Sequence, residues 1–300
     1  MLACDLGSNT LRIVEFNPLT CKPVRTYEKV VRTAKELHVT KRIGVVAQDN
    51  ILKALQEASS LFDFTQPSFC VTTEAMRIAT NAHDVLARIH NAYGLCFTII
   101  SGEEEAYLTS LAIEHALRRE GLRDDSYVLF DLGGGSTEIT FSRNREKTSQ
   151  SFPFGILNTA ERFSENLHEG ITHVLEMIDS FIEHQRPIVS SYQQLIATAG
   201  TPTTVAAFLQ GLDYAHYDSA SVNGTSLHVN DFKHAHERLI AMDFEEAERY
   251  TGTQRRDLVM VGILLCIGIM QKLGFERCIV MDDGLREGVA ISNCNKAVSF

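Results

Sequence analysis

The sequence predicts an α/β fold of two similar domains, and three observations carry that expectation. Short strand-like runs alternate with longer helical patterns along most of the chain. Met1-Leu2-Ala3-Cys4-Asp5-Leu6-Gly7 is echoed by Tyr127-Val128-Leu129-Phe130-Asp131-Leu132-Gly133, an apolar run ending in Asp-Leu-Gly, at an offset of 126 residues in a chain of 300. The composition, 44% hydrophobic with 28 Lys+Arg against 38 Asp+Glu, describes a globular chain long enough for about two domains. It excludes disordered, collagen-like and coiled-coil classes.

Taken in order, each copy of the repeat reads as a strand, a tight turn and a second strand, the latter at 11–16 and at 138–141. A β-rich run at 24–31 follows the first hairpin. Then come a helical pattern at 50–62, a strand at 68–73, a helix at 74–92, a strand at 97–100 and a helix at 103–120. The polar, glycine-led Gly121-Leu122-Arg123-Asp124-Asp125-Ser126 reads as a linker and places a boundary near 123, giving domains 1–123 and 124–300. Helical stretches at 156–167, 172–184 and 254–273 and strands at 194–198 and 278–281 complete the second half.

The near-apolar run at 258–270 has only 13 residues, against about 20 for a bilayer span, so it reads as a buried helix and no membrane association is expected. The first residues lack a basic n-region, which points to a cytoplasmic chain. Seven cysteines, scattered without a Cys-x-x-Cys pair, indicate neither a disulfide framework nor a zinc knuckle. A net charge of −10 argues against a nucleic-acid partner. One local exception lies at 22–42, where seven basic residues (Lys22, Arg25, Lys29, Arg32, Lys35, Lys41, Arg42) face two acids, Glu28 and Glu36. This stretch reads either as a solvated strand face or as a track for a polyanion.

Three strand-terminal turns are rich in Gly, Ser and Thr: Asp5-Leu6-Gly7-Ser8-Asn9-Thr10, Asp131-Leu132-Gly133-Gly134-Gly135-Ser136-Thr137-Glu138, and Thr198-Ala199-Gly200-Thr201-Pro202-Thr203-Thr204. Such turns offer backbone N–H groups and hydroxyls to phosphate in place of water. In the third, Thr201 reads as an N-cap with Pro202 at the first helical position. Walker A and Rossmann patterns do not fit, because the glycines lead into a strand and no Gly-Lys-Ser/Thr occurs. The aspartates heading the hairpins, Asp5 and Asp131, suit a hard divalent cation such as magnesium, or else bond their own turns. In Ser101-Gly102-Glu103-Glu104-Glu105-Ala106, Ser101 as N-cap puts Glu104 at N3 of a capping box. Glu105 then heads an inward stripe through Leu108, Ala112 and Ala116, where desolvation would raise its pKa toward that of a general base. Glu103 is left as a solvated charge.

Together with Asp283-Gly284-Leu285-Arg286-Glu287-Gly288, these motifs resemble the exopolyphosphatase/guanosine pentaphosphate phosphohydrolase family of the actin-like ATPase superfamily. The resemblance runs from the first hairpin to the last helix. It implies a two-domain actin-like (ribonuclease H-like) fold with an interdomain cleft, the final helix at about 286–300 packing back on the first domain. It implies an enzyme that releases terminal phosphate from polyphosphate, guanosine pentaphosphate or both, with Mg2+ or another divalent cation, and a link to guanosine tetraphosphate and the stringent response. By position it makes Glu105 the catalytic base, with Asp131 and Glu138 flanking the reacting phosphoryl group and holding metal or the attacking water, and with Asp5 as a further metal ligand. Ser8, Asn9, Thr10, Arg77, Gly133, Gly134, Gly135, Ser136, Gly200 and Thr201 then contact phosphate. A homodimer is the assembly the resemblance suggests. One departure is 39–45, Val-Thr-Lys-Arg-Ile-Gly-Val, poorer in acid and richer in base than the usual Arg-Leu-Gly-Glu-Gly. The competing readings are an actin-like kinase or ATPase and a non-catalytic polyphosphate- or guanosine-tetraphosphate-binding regulator.

Overall fold

Four apolar residues and one aspartate make β1 (Leu2–Leu6), buried along its whole length, and a strand with no exposed face must be covered above and below and paired on both edges. It pairs antiparallel with β2 (Thr10–Asn17), which pairs with β3 (Lys22–Val30). After α1 (Leu37–Thr40) and α2 (Val45–Ser59), the chain returns as β4 (Ser68–Thr72), parallel to β1. α3 (Glu74–Ile78) and α4 (Ala82–Tyr93) lead to β5 (Phe97–Ile99), parallel to β4, and then to α5 (Gly102–Arg119). The sheet order is β3-β2-β1-β4-β5.

The second sheet repeats the plan. β6 (Ser126–Leu132), β7 (Thr137–Arg143) and β8 (Glu146–Phe152) form the antiparallel part. α6 (Ile156–Arg162), α7 (Leu167–Glu176) and α8 (Asp179–Val189) precede β9 (Leu195–Thr198), parallel to β6. There follow α9 (Gly200–Leu209), a 3-10 turn at Tyr214–His216, α10 (Ser219–Val222), β10 (Thr225–His228), α11 (Val229–Ala241), α12 (Phe244–Thr251), α13 (Arg256–Leu273) and β11 (Arg277–Val280). α14 (Leu285–Ala297) closes the chain. The order β10-β11-β9-β6-β7-β8, without its edge strand β10, is the order of the first sheet read from the other side. The Asp-Leu-Gly repeat is therefore a repeat of topology.

The computed structural model describes residues 1–189 and 192–297, and the chain divides into two units, Met1–Ala112 with the chain from Gly284 onward, and Ile113–Asp283. The division falls inside α5 and not near 123. Ile113, Ala116 and Leu117 of that helix already belong to a core with Tyr127, Leu129, Ile196 and Met281, and Gly121–Leu122 is a turn closing the helix (Leu122 N–H to the Leu117 carbonyl, 2.8 Å). α14 belongs with the first unit, where Leu285, Val289, Ala290 and Cys294 pack with Met1, Ala3, Val14 and Phe16. The second unit thus ends at Asp283, not 300, and the stretch 298–300 of the expected last helix lies outside the described residues.

Other differences have local causes. The helix expected at 74–92 is broken after Ile78, because the Thr80 N–H is drawn to the Lys41 carbonyl (2.8 Å) and the Asn81 side chain brackets the Ile43 backbone, accepting from its N–H and donating to its carbonyl (2.8 and 3.1 Å). The helix expected at 156–167 stops at Arg162, and Asn166 caps a new one at Leu167. Cys21 and Cys294 form a disulfide with a Cα–Cα distance of 6.1 Å, which corrects the expectation of none; a bond spanning 273 residues has no signature in spacing. Cys4, Cys70, Cys266 and Cys278 are buried thiols. The apolar run at 258–270 is the buried heart of α13, and no described helix is long and apolar enough to cross a membrane.

His115, on the second-unit part of α5, is held below its ordinary 6.5 by burial and then by Arg119, with Arg118 adding and Asp283 opposing. A histidine kept neutral by the fold binds fewer protons than in the unfolded chain, so its stability is complete above about pH 6.5 and is lost as pH falls below that. Burial depresses His236 of α11 in the same sense. Thermal unfolding followed from pH 7.5 to 5 should show a declining Tm, with a shallower decline in His115→Gln.

Candidate active site

The two hairpin turns share one construction. In each, the glycine after Asp-Leu closes the turn on the residue three further on: Gly7 N–H to the Thr10 carbonyl and Gly133 N–H to the Ser136 carbonyl, both 3.0 Å. The turn carbonyls are then tied back by the chain that passes behind. Ser8 and Asn9 carbonyls accept from Ala34 and from Val31 and Arg32 (2.8–2.9 Å). The Gly133 and Gly134 carbonyls accept from the first N–H groups of α6, Ile156 and Leu157 (3.0 and 2.9 Å), and the Gly135 carbonyl accepts from Asn158 Nδ2 at 2.8 Å. Anchored carbonyls leave the N–H side of the 133–136 loop as the face an anion would meet. The loop lies so close to Gly155 that a Cβ there would stand 2.5–2.6 Å from the Gly133, Gly134 and Gly135 backbone.

Ser8, Asn9 and Ser136 are buried, and Asn9 Oδ1 is a buried acceptor that no described residue satisfies. Thr10 opens β2. In the third turn, α9 begins at Gly200 with Ala199 in the cap position, so Thr201 is not the N-cap. Ala199 takes φ 81°, ψ −179°, a region almost confined to glycine and costly for any other residue. Thr203 and Thr204 hydroxyls donate back to the Ala199 and Gly200 carbonyls (3.0 and 2.6 Å). The Thr201 hydroxyl instead faces α13, where a Cβ on Gly262 would overlap it. Only its backbone remains for an anion.

Register separates the roles of the two leading aspartates. Asp131 stands opposite Glu138 in the β6/β7 ladder, Glu138 opposite Ser151 in β7/β8, and Thr198 beside Asp131 in β6/β9. Residues opposed in a ladder share a face, so two carboxylates lie together, with Glu138 only 3% exposed. Ser151 Oγ donates to Glu138 Oε1 at 2.6 Å. The equivalent row of the first sheet pairs Asp5 with Arg12, and Arg12 with Glu28, whose ion pair measures 3.0 Å. The first row therefore carries its own cation and the second brings two acids together. Among the described residues no group of three His, Cys, Asp or Glu could hold a metal. A carboxylate pair fits a cation such as Mg2+, which keeps waters and takes phosphate oxygens as further ligands, and does not fit a closed tetrahedral site.

On α5 the three glutamates separate as expected. Ser101 N–H donates to Glu104 Oε2 (2.8 Å) and Glu104 N–H to Ser101 Oγ (3.1 Å), a complete capping box. Glu103 is exposed, whereas Glu105 is 8% exposed. Arg77 is neither a surface arginine nor an idle cation: its Nη1 donates to Glu105 Oε2 (2.9 Å) and to the Ile100 carbonyl (2.8 Å), while Nε and Nη2 reach Glu74 Oε2 (3.1 and 3.0 Å). Burial alone would lower the guanidinium pKa, and the two glutamates outweigh it and raise it. Beside Glu105, desolvation is thus countered by a cation that favours the charged carboxylate. At the other end, Asp283 accepts a two-point contact from Arg119 (3.0 and 2.7 Å). Arg286 pairs with Glu287, whose Oε2 also takes the Gly284 N–H at 2.9 Å, a helix-start role.

Sequence reasoning missed Ser151, Gly155, Asn158 and Glu74. The Glu74/Arg77 spacing of three was a readable ion-pair signal; the other three depend on register and on what passes behind a loop.

A pair of five-strand frameworks of identical order, each led by an Asp-headed glycine turn, defines the actin-like two-domain class. The Ppx/GppA phosphatase family model matches residues 13–297, and the chain belongs to that family. Among solved structures, an exopolyphosphatase-like protein superposes with a TM-score of 0.85 at 22% identity, covering 99% of this chain and 98% of that one. An exopolyphosphatase from Cytophaga hutchinsonii gives 0.82 at 22% identity, covering 98% and 97%. A bifunctional 3-dehydroquinate synthase/phosphatase of Fusobacterium nucleatum is 22% identical over 301 residues, covering 93% of this chain and 44% of that protein. The chain spans less than half the length of the curated relatives it matches.

Gly155→Ala should force the 133–136 loop outward, costing about 1–3 kcal/mol. Denaturant unfolding and amide exchange at those residues check it: lower stability with faster loop exchange is expected.

Proposed function

We propose that this chain is a phosphohydrolase that releases terminal phosphate from inorganic polyphosphate, from guanosine pentaphosphate or from both, using a divalent cation and Glu105 as general base. The observation that carries the reading is the opposed pair of half-buried Asp131 and buried Glu138 beside a glycine loop whose carbonyls are tied away. Two like charges so placed favour an arriving cation, and the loop offers the matching N–H groups to its phosphate. Mg2+ held by Asp131 and Glu138 would neutralise charge on the transferring phosphoryl oxygens. Asp5 stands opposite Arg12 in the β1/β2 ladder, and its part is to shape the first hairpin, with Ser8 and Asn9 presented by the same turn.

Glu105 accepts a proton from the attacking water, and Arg77 orients its carboxylate while favouring its charged form. Phosphoryl transfer asks for little more than such positioning and charge stabilisation. The exposed Lys35, Lys41 and Arg42 suit the trailing polyanion, whereas Lys29 is engaged by Glu57 at 2.9 Å and Arg25 by the Leu61 carbonyl. A kinase or ATPase is the second reading; phosphate release from polyphosphate without nucleotide separates the two, and the same release separates catalysis from a purely binding regulator.

Initial rates on polyphosphate and on guanosine pentaphosphate, with Mg2+ and after chelation, test the reading, with activity expected only in the presence of metal. Glu105→Gln should lower the rate by about 10²–10⁴ while polyphosphate binding by calorimetry stays nearly unchanged; a fully active Gln variant removes the assignment. Arg77→Met should slow hydrolysis and move the acid limb of the pH–rate profile to higher pH, since the charged carboxylate loses its partner.

A further inference from the structure

The first unit is built from two separated pieces of chain, and its second piece is essentially one helix, α14. A helix of 13 residues is marginal by itself in water, so its place depends on what fastens it. Two things do. Its apolar side, Leu285, Val289, Ala290 and Cys294, packs with β1 and β2 residues, and Cys294 is bonded to Cys21, in the turn between β2 and β3. The Cα–Cα distance of 6.1 Å lies in the ordinary disulfide range. Cys294, 2% exposed, belongs to the apolar cluster and Cys21, partly exposed, packs against it, so an oxidant or reductant approaches from the Cys21 side.

α14 also touches the helix that carries Glu105. Gly288 approaches α5 so closely that a Cβ there would stand 2.0 Å from the Leu108 carbonyl oxygen. Leu108 is one turn beyond Glu105 on that helix, and its side chain packs against the same cluster as Cys21 and Cys294. Movement of α14 therefore cannot be absorbed by a soft side chain; backbone lies against backbone.

We propose that Cys21 and Cys294 are an oxidative modification site, a reversible fastener of α14 whose redox state sets how firmly α5 holds Glu105. On closure each thiol loses a proton and together they lose two electrons, the S–S bond forms, and an incoming small disulfide is reduced to two thiols; a dithiol reductant reverses the exchange. In a reducing compartment, as expected from the sequence, such bonds are transient and sensing. The link to hydrolysis rests on Glu105 being the base, and the fastening itself does not.

The test equilibrates the full chain with oxidised or reduced dithiothreitol. Peptide mapping without reductant should find the 21–294 cross-link in the oxidised protein only. Amide exchange in α14 and in the first two turns of α5 should be about tenfold slower when oxidised, with faster phosphate release. Cys21→Ser and Cys294→Ala should each behave as the reduced protein in either buffer; the first replaces a partly exposed residue and guards against a folding defect in the second. Thiols that stay free in oxidant, or exchange in α14 that is the same in both states, overturn the proposal. Redox-dependent exchange in α14 with unchanged exchange in α5 overturns the coupling to Glu105. An inactive protein that still shows both exchange effects keeps the fastener and sinks the base assignment instead.

Discussion

Two carboxylates set opposite one another in a ladder repel, and in a half-dry setting the repulsion is large enough to demand an answer. Asp131 and Glu138 pose that problem at the end of β6 and β7, and the surrounding residues are its partial solution. Ser151 gives Glu138 a hydroxyl proton from the next strand. The glycine turn between the two acids turns its carbonyls away, so no further negative dipole points at them. On the function proposed above, a phosphate–cation pair would bring positive charge to these two acids together with acceptors for the loop's N–H groups.

The repeat makes the point by contrast. Apart from the edge strand β10, both sheets have the same strand order, and both have the same glycine-closed turn. The difference lies in the side chains of the row beside the leading aspartate, Arg12 and Glu28 in the first sheet against Glu138 and Ser151 in the second. On the proposed reading, the second hairpin, whose row holds two acids and no arginine, is the one that takes the cation.

A similar economy governs the start of α5. Three consecutive glutamates all gain from the positive end of a helix, yet each meets a different environment, because successive residues turn by about 100° around the axis. Glu104 is taken by the Ser101 N–H, Glu103 is left exposed, and Glu105 is held by a guanidinium that Glu74 and the Ile100 carbonyl keep in place. Burial makes a carboxylate responsive to its neighbours, and Arg77 decides the direction of the response. The backbone contact of Gly288 with Leu108 then makes the setting of this helix depend on α14, a segment contributed by the far end of the chain.

Local signals were enough for the strands other than β8 and β10, for the capping box, the inward face of Glu105, the buried run of α13 and the twofold plan, since each rests on a periodicity or a motif of a few residues. They failed where distant chain competes with local preference. The 74–92 helix is cut because Thr80 and Asn81 bond to the 41–43 backbone, and the Gly200 turn starts its helix one residue before Thr201 because Ala199 is held at positive φ. The disulfide, the place of α14 and the division within α5 had no local mark at all. By itself the sequence determined which residue types stand at the strand ends and that they come in two copies, because hydrophobic period and turn chemistry act over neighbouring residues. Only the tertiary structure decided that Asp131 meets an acid, Asp5 an arginine and Glu105 a guanidinium, because register and packing bring together residues whose separation along the chain carries no information about their contact.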